Sequence, residues 1–294
     1  MSFGSAVKKL IPKSLKRYIK KNMGQTPRQA DYIVRESDKE RFLGKNIIVT
    51  GGTGAIGSAV CARLLAEGAT VGICGRNEEK LKAVVEKFER EKIIRGGKCI
   101  PIVLDVTDDK SIHDGVAEFI SKTGRLDAFV NNAGGGARGD SKPIFEQDID
   151  VIDRVLNTNL RGTIVCAREA AKAMVPNKRG KIINMSSVVG MNGKATMSDY
   201  AASKAGILGF TKSIALELGQ YGITVNCISP GMVNQIPFDK GSEPRTTNKN
   251  CLGRFGYTDE VADLAAYIIS DSGNYFTGHN FVIDGGRSLG LMGD

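Results

Sequence analysis

Histidine is scarce: only His113 and His279 occur in 294 residues, and neither lies near a cysteine cluster. That argues against a zinc site and against a histidine-based triad, so no metal is expected. The six cysteines (Cys61, Cys74, Cys99, Cys166, Cys227 and Cys251) include no C-x-x-C pair, and several fall inside apolar runs, which reads as reduced core thiols. No apolar run approaches the roughly 18 to 20 residues that span a bilayer, and the N-terminus lacks the apolar segment of a secretory signal. A soluble, cytoplasmic protein is expected. Acidic residues are missing from positions 1–30, where eight Lys and Arg side chains lie between Lys8 and Arg28. Nearly all of the formal net charge of +9 therefore belongs to this arm, and the remaining chain is close to neutral. Charge confined to an arm gives no nucleic-acid-binding body.

The chain divides into a basic N-terminal extension, residues 1–43, and one α/β domain, residues 44–294. In the extension, Val7, Ile11, Leu15 and then Tyr18 or Ile19 follow helical spacing, with lysines on the other face. A basic amphipathic helix fits that pattern. Three readings stay open: a solvated arm folded on its own domain or a neighbouring subunit, peripheral contact of residues 1–30 with an anionic membrane, and a transit peptide.

From Lys45 onward, short β-branched runs alternate with helical stretches, the pattern of βαβ units and a parallel sheet. Strands are predicted near 46–50, 70–74, 99–104, 128–131, 181–185, 223–228 and 280–283. Helices are predicted near 56–67, 78–92, 109–122, 147–175, 200–219 and 259–271. The expected architecture is a doubly wound, seven-stranded parallel sheet of Rossmann type with helices on both faces. Residues 232–252, polar and containing Pro237, Gly241 and Pro244, read as a mobile substrate-side loop.

The first predicted strand runs into Thr50-Gly51-Gly52-Thr53-Gly54-Ala55-Ile56-Gly57 and then a helix. In that context a glycine-rich turn lets a dinucleotide pyrophosphate approach backbone N–H groups at a helix N-terminus. Gly51, Thr53, Gly54, Ile56 and Gly57 are the candidate contacts. A carboxylate after the second strand would bond the ribose 2′-hydroxyl of NAD, but the sequence there is Cys74-Gly75-Arg76-Asn77, and none comes before Glu78. Arg76 suits a 2′-phosphate, so NADP(H) is favoured over NAD(H).

Tyr200 and Lys204 lie four residues apart, with Ser187 thirteen residues upstream of the tyrosine. On a helix over 200–219 the first two share a face. A tyrosine with an ordinary pKa of about 10 becomes a usable base when cations stabilise its phenolate, which needs about 3 to 4 kcal/mol. Lys204 offers one such cation, and Tyr200 is the candidate acid/base. Ser187 follows a predicted strand at the carboxyl edge of the sheet, where its hydroxyl can polarise a substrate carbonyl.

Taken with Leu104-Asp105-Val106, Asn131-Asn132-Ala133-Gly134, Asn159, Pro230-Gly231 and the run from Thr277-Gly278 to Asp284-Gly285-Gly286, these motifs resemble the single-domain short-chain dehydrogenase/reductases. The likeness extends from about Gly44 to Gly286, and its pattern is most similar to 3-oxoacyl-carrier-protein reductases. The resemblance implies that Asp105 and Val106 contact the adenine. It also implies that Asn131, Asn132, Ala133 and Gly134 line the cofactor groove, that Pro230 and Gly231 border the nicotinamide, and that Val233 is a further cofactor contact. Tyr200 and Lys204 would also touch the cofactor, and Asn159 would hold a water that links Lys204 to solvent. A homo-oligomer, tetramer or dimer, is implied as well, built on the helices near 147–175 and 200–219.

Two departures stand out. Ala55 replaces a glycine usual in single-domain members, while Gly54 fits the T-G-x-x-G-x-x-G spacing of sugar-nucleotide-modifying members. Gln235 stands where a threonine is common. The expected function is ketone and secondary-alcohol interconversion, reductive direction favoured. The substrate expected is a 3-oxoacyl thioester or a polar keto compound such as a sugar or envelope precursor. The alternatives are an NAD-dependent sugar-nucleotide epimerase or dehydratase, and a non-catalytic dinucleotide-binding scaffold that docks through its basic arm.

Overall fold

The computed structural model describes residues 40–136, 139–234 and 245–289. The expectations for the basic arm and for Gln235, Pro237, Gly241 and Pro244 fall outside the described residues. Seven strands form one parallel sheet: β1 (Asn46–Thr50), β2 (Thr70–Gly75), β3 (Cys99–Val103), β4 (Ala128–Asn131), β5 (Gly180–Met185), β6 (Ile223–Pro230) and β7 (Asn280–Ile283). Their spatial order is β3-β2-β1-β4-β5-β6-β7. The chain winds outward from β1 through β3, then returns to the other side of β1 and winds outward again. The crevice between the carboxyl ends of β1 and β4 is thus the topological switch point, where ligands bind in such sheets.

Successive strand residues point to opposite faces, so each strand feeds two cores. Ile47 and Val49 join one apolar cluster and Ile48 joins the other; Val130 and Phe129 divide in the same way. The first cluster takes in α1 (Ala55–Ala66), α2 (Glu78–Arg90) and the C-terminal helix over Thr258–Ile269. The second takes in α3 (Asp109–Thr123), α5 (Gly162–Met174) and α7 (Ser198–Leu218). Phe42 is buried in the first cluster and Arg41 pairs with Glu67, so the packed body begins ahead of Gly44.

Three differences from the sequence reading matter for function. The single helix expected over 147–175 is α4 (Ile149–Leu156), a π-helical turn at Asn157–Arg161, and α5. From the start of α5 the Thr163 hydroxyl reaches back and donates to the Asn159 carbonyl in that turn at 2.6 Å. Second, a five-residue helix, α6 (Val188–Asn192), follows Ser187 at once. Third, residues 245–252 are tied down. Thr246 bridges Arg254, Leu252 N–H donates to the Gly285 carbonyl at 3.2 Å, and the buried Asn250 amide donates to the Arg254 carbonyl at 2.6 Å. The C-terminal helix over Thr258–Ile269, α8, closes the core.

Candidate active site

The turn between β1 and α1 has the form a pyrophosphate needs. Gly51 has φ +63, a left-handed conformation that favours glycine. A Cβ on Gly57 would stand 2.2 Å from the Gly51 carbonyl oxygen, so the helix start and the turn meet backbone to backbone. Gly54 caps α1 without a side-chain acceptor, and its first turn holds no carboxylate. Its first N–H groups therefore have no partner within the helix and face the crevice with the positive end of the helix dipole. These residues fit a dinucleotide phosphate. The Ala55 methyl is accommodated as the first helical residue.

Gly51, Thr53, Gly54, Ile56, Gly57, Asn132, Ala133, Gly134, Tyr200, Lys204 and Pro230 line a single cleft of about 320 Å³, together with Met185 and Ser186. Asn132 also braces the turn, since its amide donates to the carbonyls of Thr50 and Gly51 at 3.1 and 3.2 Å. Arg76 is exposed beyond β2, outside this wall. Hydrogen bonds from the Thr107 N–H and hydroxyl hold the Asp105 carboxyl below the usual carboxylate range, and the Arg76 charge adds to the effect. Val106 is buried, with its carbonyl against Gly162. Gly231 abuts Asp284, where a Cβ would come within 2.6 Å of the Asp284 Cβ. Val233 faces a separate small cavity shared with Leu252, Arg254 and Tyr257.

Tyr200 and Lys204 lie in the first two turns of α7. The Lys204 ammonium is 5.8 Å from the Tyr200 ring centroid and donates to the Met185 carbonyl at 2.8 Å. Its own backbone carbonyl accepts from the Ser186 hydroxyl at 2.8 Å, so both ends of Lys204 are anchored to the end of β5. Burial brings its pKa down to about 8. The loop after β4 closes the other side. Gly134 lies against both Asn159 Oδ1 and Lys204 Nζ, and Gly136 lies against the Tyr200 ring.

Ser187 is the N-cap of α6, and its Oγ accepts from the Val189 N–H at 3.2 Å. That bond uses a lone pair and leaves the hydroxyl proton for a substrate oxygen. Asn159 is fully buried and faces the β4 loop rather than the cleft wall. Its amide donates to the Gly135 carbonyl and to the Ser203 hydroxyl, each at 3.0 Å, and Ser203 in turn donates to the Tyr200 carbonyl at 2.8 Å.

Sequence reasoning missed the parts played by Gly135, Gly136, Met185, Ser186 and Ser203. Those of Met185 and Gly135 run through backbone groups, which carry no residue-type signal. The glycine pair beside Asn132-Ala133-Gly134 was the one legible hint.

The profile of the family described as short chain dehydrogenase matches residues 45–244. The chain is 36% identical over 251 residues to 3-oxoacyl-[acyl-carrier-protein] reductase FabG of Rickettsia conorii, covering 84% of this chain and 98% of that one. It is 31% identical over 253 residues to 2-dehydro-3-deoxy-L-rhamnonate dehydrogenase (NAD(+)) of a Sphingomonas species, covering 84% and 97%. Among solved structures, a 3-oxoacyl-[acyl-carrier protein] reductase with bound NAD from Brucella melitensis superposes with a TM-score of 0.78 at 31% identity, covering 90% of this chain and 99% of that one. The chain belongs to the short-chain dehydrogenase/reductase family and is a nicotinamide-dinucleotide-dependent oxidoreductase.

Proposed function

We propose that the protein reduces a ketone to a secondary alcohol and prefers NADP(H) to NAD(H). The observation that carries the reading is the buried Lys204 ammonium beside the Tyr200 ring, at the end of a dinucleotide cleft. A nicotinamide held in that cleft by the turn at residues 51–57 and the loop at residues 132–134 would supply the hydride. The Tyr200 hydroxyl donates its proton to the substrate oxygen and takes one back in the oxidative direction. The nearby Lys204 charge favours the phenolate that remains. Ser187, capping α6 through its lone pair, donates its hydrogen to the same substrate oxygen and polarises the carbonyl. Substrate carbon gains a hydride and substrate oxygen gains a proton, so the product is the alcohol.

Arg76 supports the NADP(H) preference, since it stands beyond β2 with no carboxylate before Glu78. The substrate class is a 3-oxoacyl thioester, as the names of the Rickettsia relatives suggest, or a polar keto compound. Nothing beyond Gly54 favours the epimerase or dehydratase reading, and in this chain Gly54 serves as the cap of α1.

An apolar groove of about 620 Å³ between α5 and α7, lined by Ile164, Phe210, Ile214 and Leu218, supports assembly with further copies of the chain. Light scattering on the purified protein reads that assembly, and a monomer would contradict it.

The test of function is NADPH oxidation across a panel of ketones. Tyr200→Phe should lower turnover by about 10² to 10⁴. A variant that keeps more than about a tenth of wild-type turnover would overturn the acid/base role.

A further inference from the structure

Beside Val188 and Val189, the two residues that follow Ser187, lies a further cavity of about 340 Å³, whose wall also includes Asn192, Lys194, Lys249 and Arg287. The three cations come from three separate segments: the turn after α6, the tied segment 245–252, and the turn after β7. Among the described residues, no carboxylate lines the cavity. None of the three cations has an ion-pair partner among the described residues. Asp284, the acid nearest to Arg287 in the chain, accepts from the N–H groups of Gly286 and Ser288 at 2.8 and 2.6 Å and so serves the turn itself. The Arg287 guanidinium donates to the Met232 sulfur at 3.0 Å, a partner that brings no charge.

Like charges gathered around a cavity repel one another, and an anion placed among them relieves that repulsion. The wall is held in place: Leu252 is bonded to Gly285, and a Cβ on Gly285 would come within 3.2 Å of the Asn250 amide. Lys249 and Arg287 therefore sit on docked segments. The distance to the chemistry is short. Helix α6 starts directly after Ser187, and its residues Val188, Val189 and Asn192 line the cavity.

We propose that this cavity, whose wall begins at Val188 directly after Ser187, holds an anionic group of the substrate, a carboxylate or a phosphate, carried on the same molecule as the reacting ketone. The proposal rests on the reductase reading above and narrows it to ketones bearing a nearby anion. A neutral ketone leaves the cations unanswered, so the same cavity discriminates between substrates.

Two measurements on the full chain test it, each comparing wild type with the Lys194→Gln/Lys249→Gln/Arg287→Gln variant. In the first, sodium acetate and inorganic phosphate are titrated calorimetrically in separate arms. Both arms are run at fixed ionic strength, with NADP+ saturating so that the dinucleotide cleft is filled. Expected is binding of at least one anion to wild type, weakened at least about tenfold in the variant; the stronger arm identifies the anion. In the second, kcat/KM is compared for a keto acid or keto phosphate and its neutral ester or alcohol counterpart. The anionic-to-neutral ratio should fall at least about tenfold in the variant. Equal anion affinities in the two proteins, absence of binding in both arms, or an unchanged ratio would overturn the site. Variant-sensitive anion binding without turnover of any ketone would keep the anion site and overturn the reductase reading instead.

Discussion

The side-chain amide of Asn159 grips Gly135 at both backbone groups, accepting from its N–H at 2.9 Å and donating to its carbonyl at 3.0 Å. The π-helical turn brings it there, and the grip places Gly134 beside Lys204 Nζ and Gly136 beside the Tyr200 ring. Asn159→Ala removes both bonds and the one to Ser203, leaving buried polar groups without partners. A loss of about 1 to 3 kcal/mol in denaturant stability is expected, together with a fall in kcat larger than any rise in KM for NADPH. A variant with wild-type kcat would show that the grip does not position Tyr200 and Lys204 for turnover.

Cofactor choice should turn on Arg76. Arg76→Asp puts a carboxylate at the end of β2, able to accept from a ribose 2′-hydroxyl and repel a 2′-phosphate. The kcat/KM for NADPH should drop at least about tenfold while that for NADH holds or rises. Equal losses with both cofactors would remove Arg76 from cofactor selection.

Alkaline stability follows from competition among buried groups. Burial pushes Cys99 and Cys166 up to about 12, Cys227 to about 11, and Cys61 and Cys74 well above the ordinary thiol range. Above about pH 8.5 the unfolded chain releases these protons and the folded chain keeps them, so stability falls as pH rises. Lys204 and Lys181, each held down to about 8 by burial, work in the opposite sense up to about pH 10.4, because there the unfolded chain binds more protons. Five thiols outweigh two lysines. Urea midpoints should therefore decline from pH 9 to 10.5, and Lys204→Met should decline more steeply than wild type. A midpoint that rises over that range, or parallel curves for the two proteins, would contradict this account.

All seven strands were legible because each is a short, largely apolar run bounded by turn residues, with a helical stretch between neighbours. Tyr200 and Lys204 were legible because helix periodicity alone puts them on one face. The π-helical turn was not, since one extra residue in a turn leaves the apolar spacing on either side intact. Helix α6 is too short for any period to register. The Asn159 grip joins residues 24 apart, and Lys204 leans on a backbone carbonyl 19 residues away. Contacts of that kind depend on the finished fold. The cavity formed by Lys194, Lys249 and Arg287 draws on three segments that only packing brings together.

The Thr50 hydroxyl donates to the Val130 carbonyl at 3.3 Å and accepts from the N–H groups of Asn132 and Ala133 at 3.0 and 3.1 Å. One donor and two acceptor positions are all a hydroxyl has. Its bonding capacity is filled by protein, so an arriving dinucleotide has nothing to recruit from it and nothing to displace. The gap between β1 and β4 is thus bridged by protein groups before any ligand enters, and binding there has no need to order the Thr50 side chain.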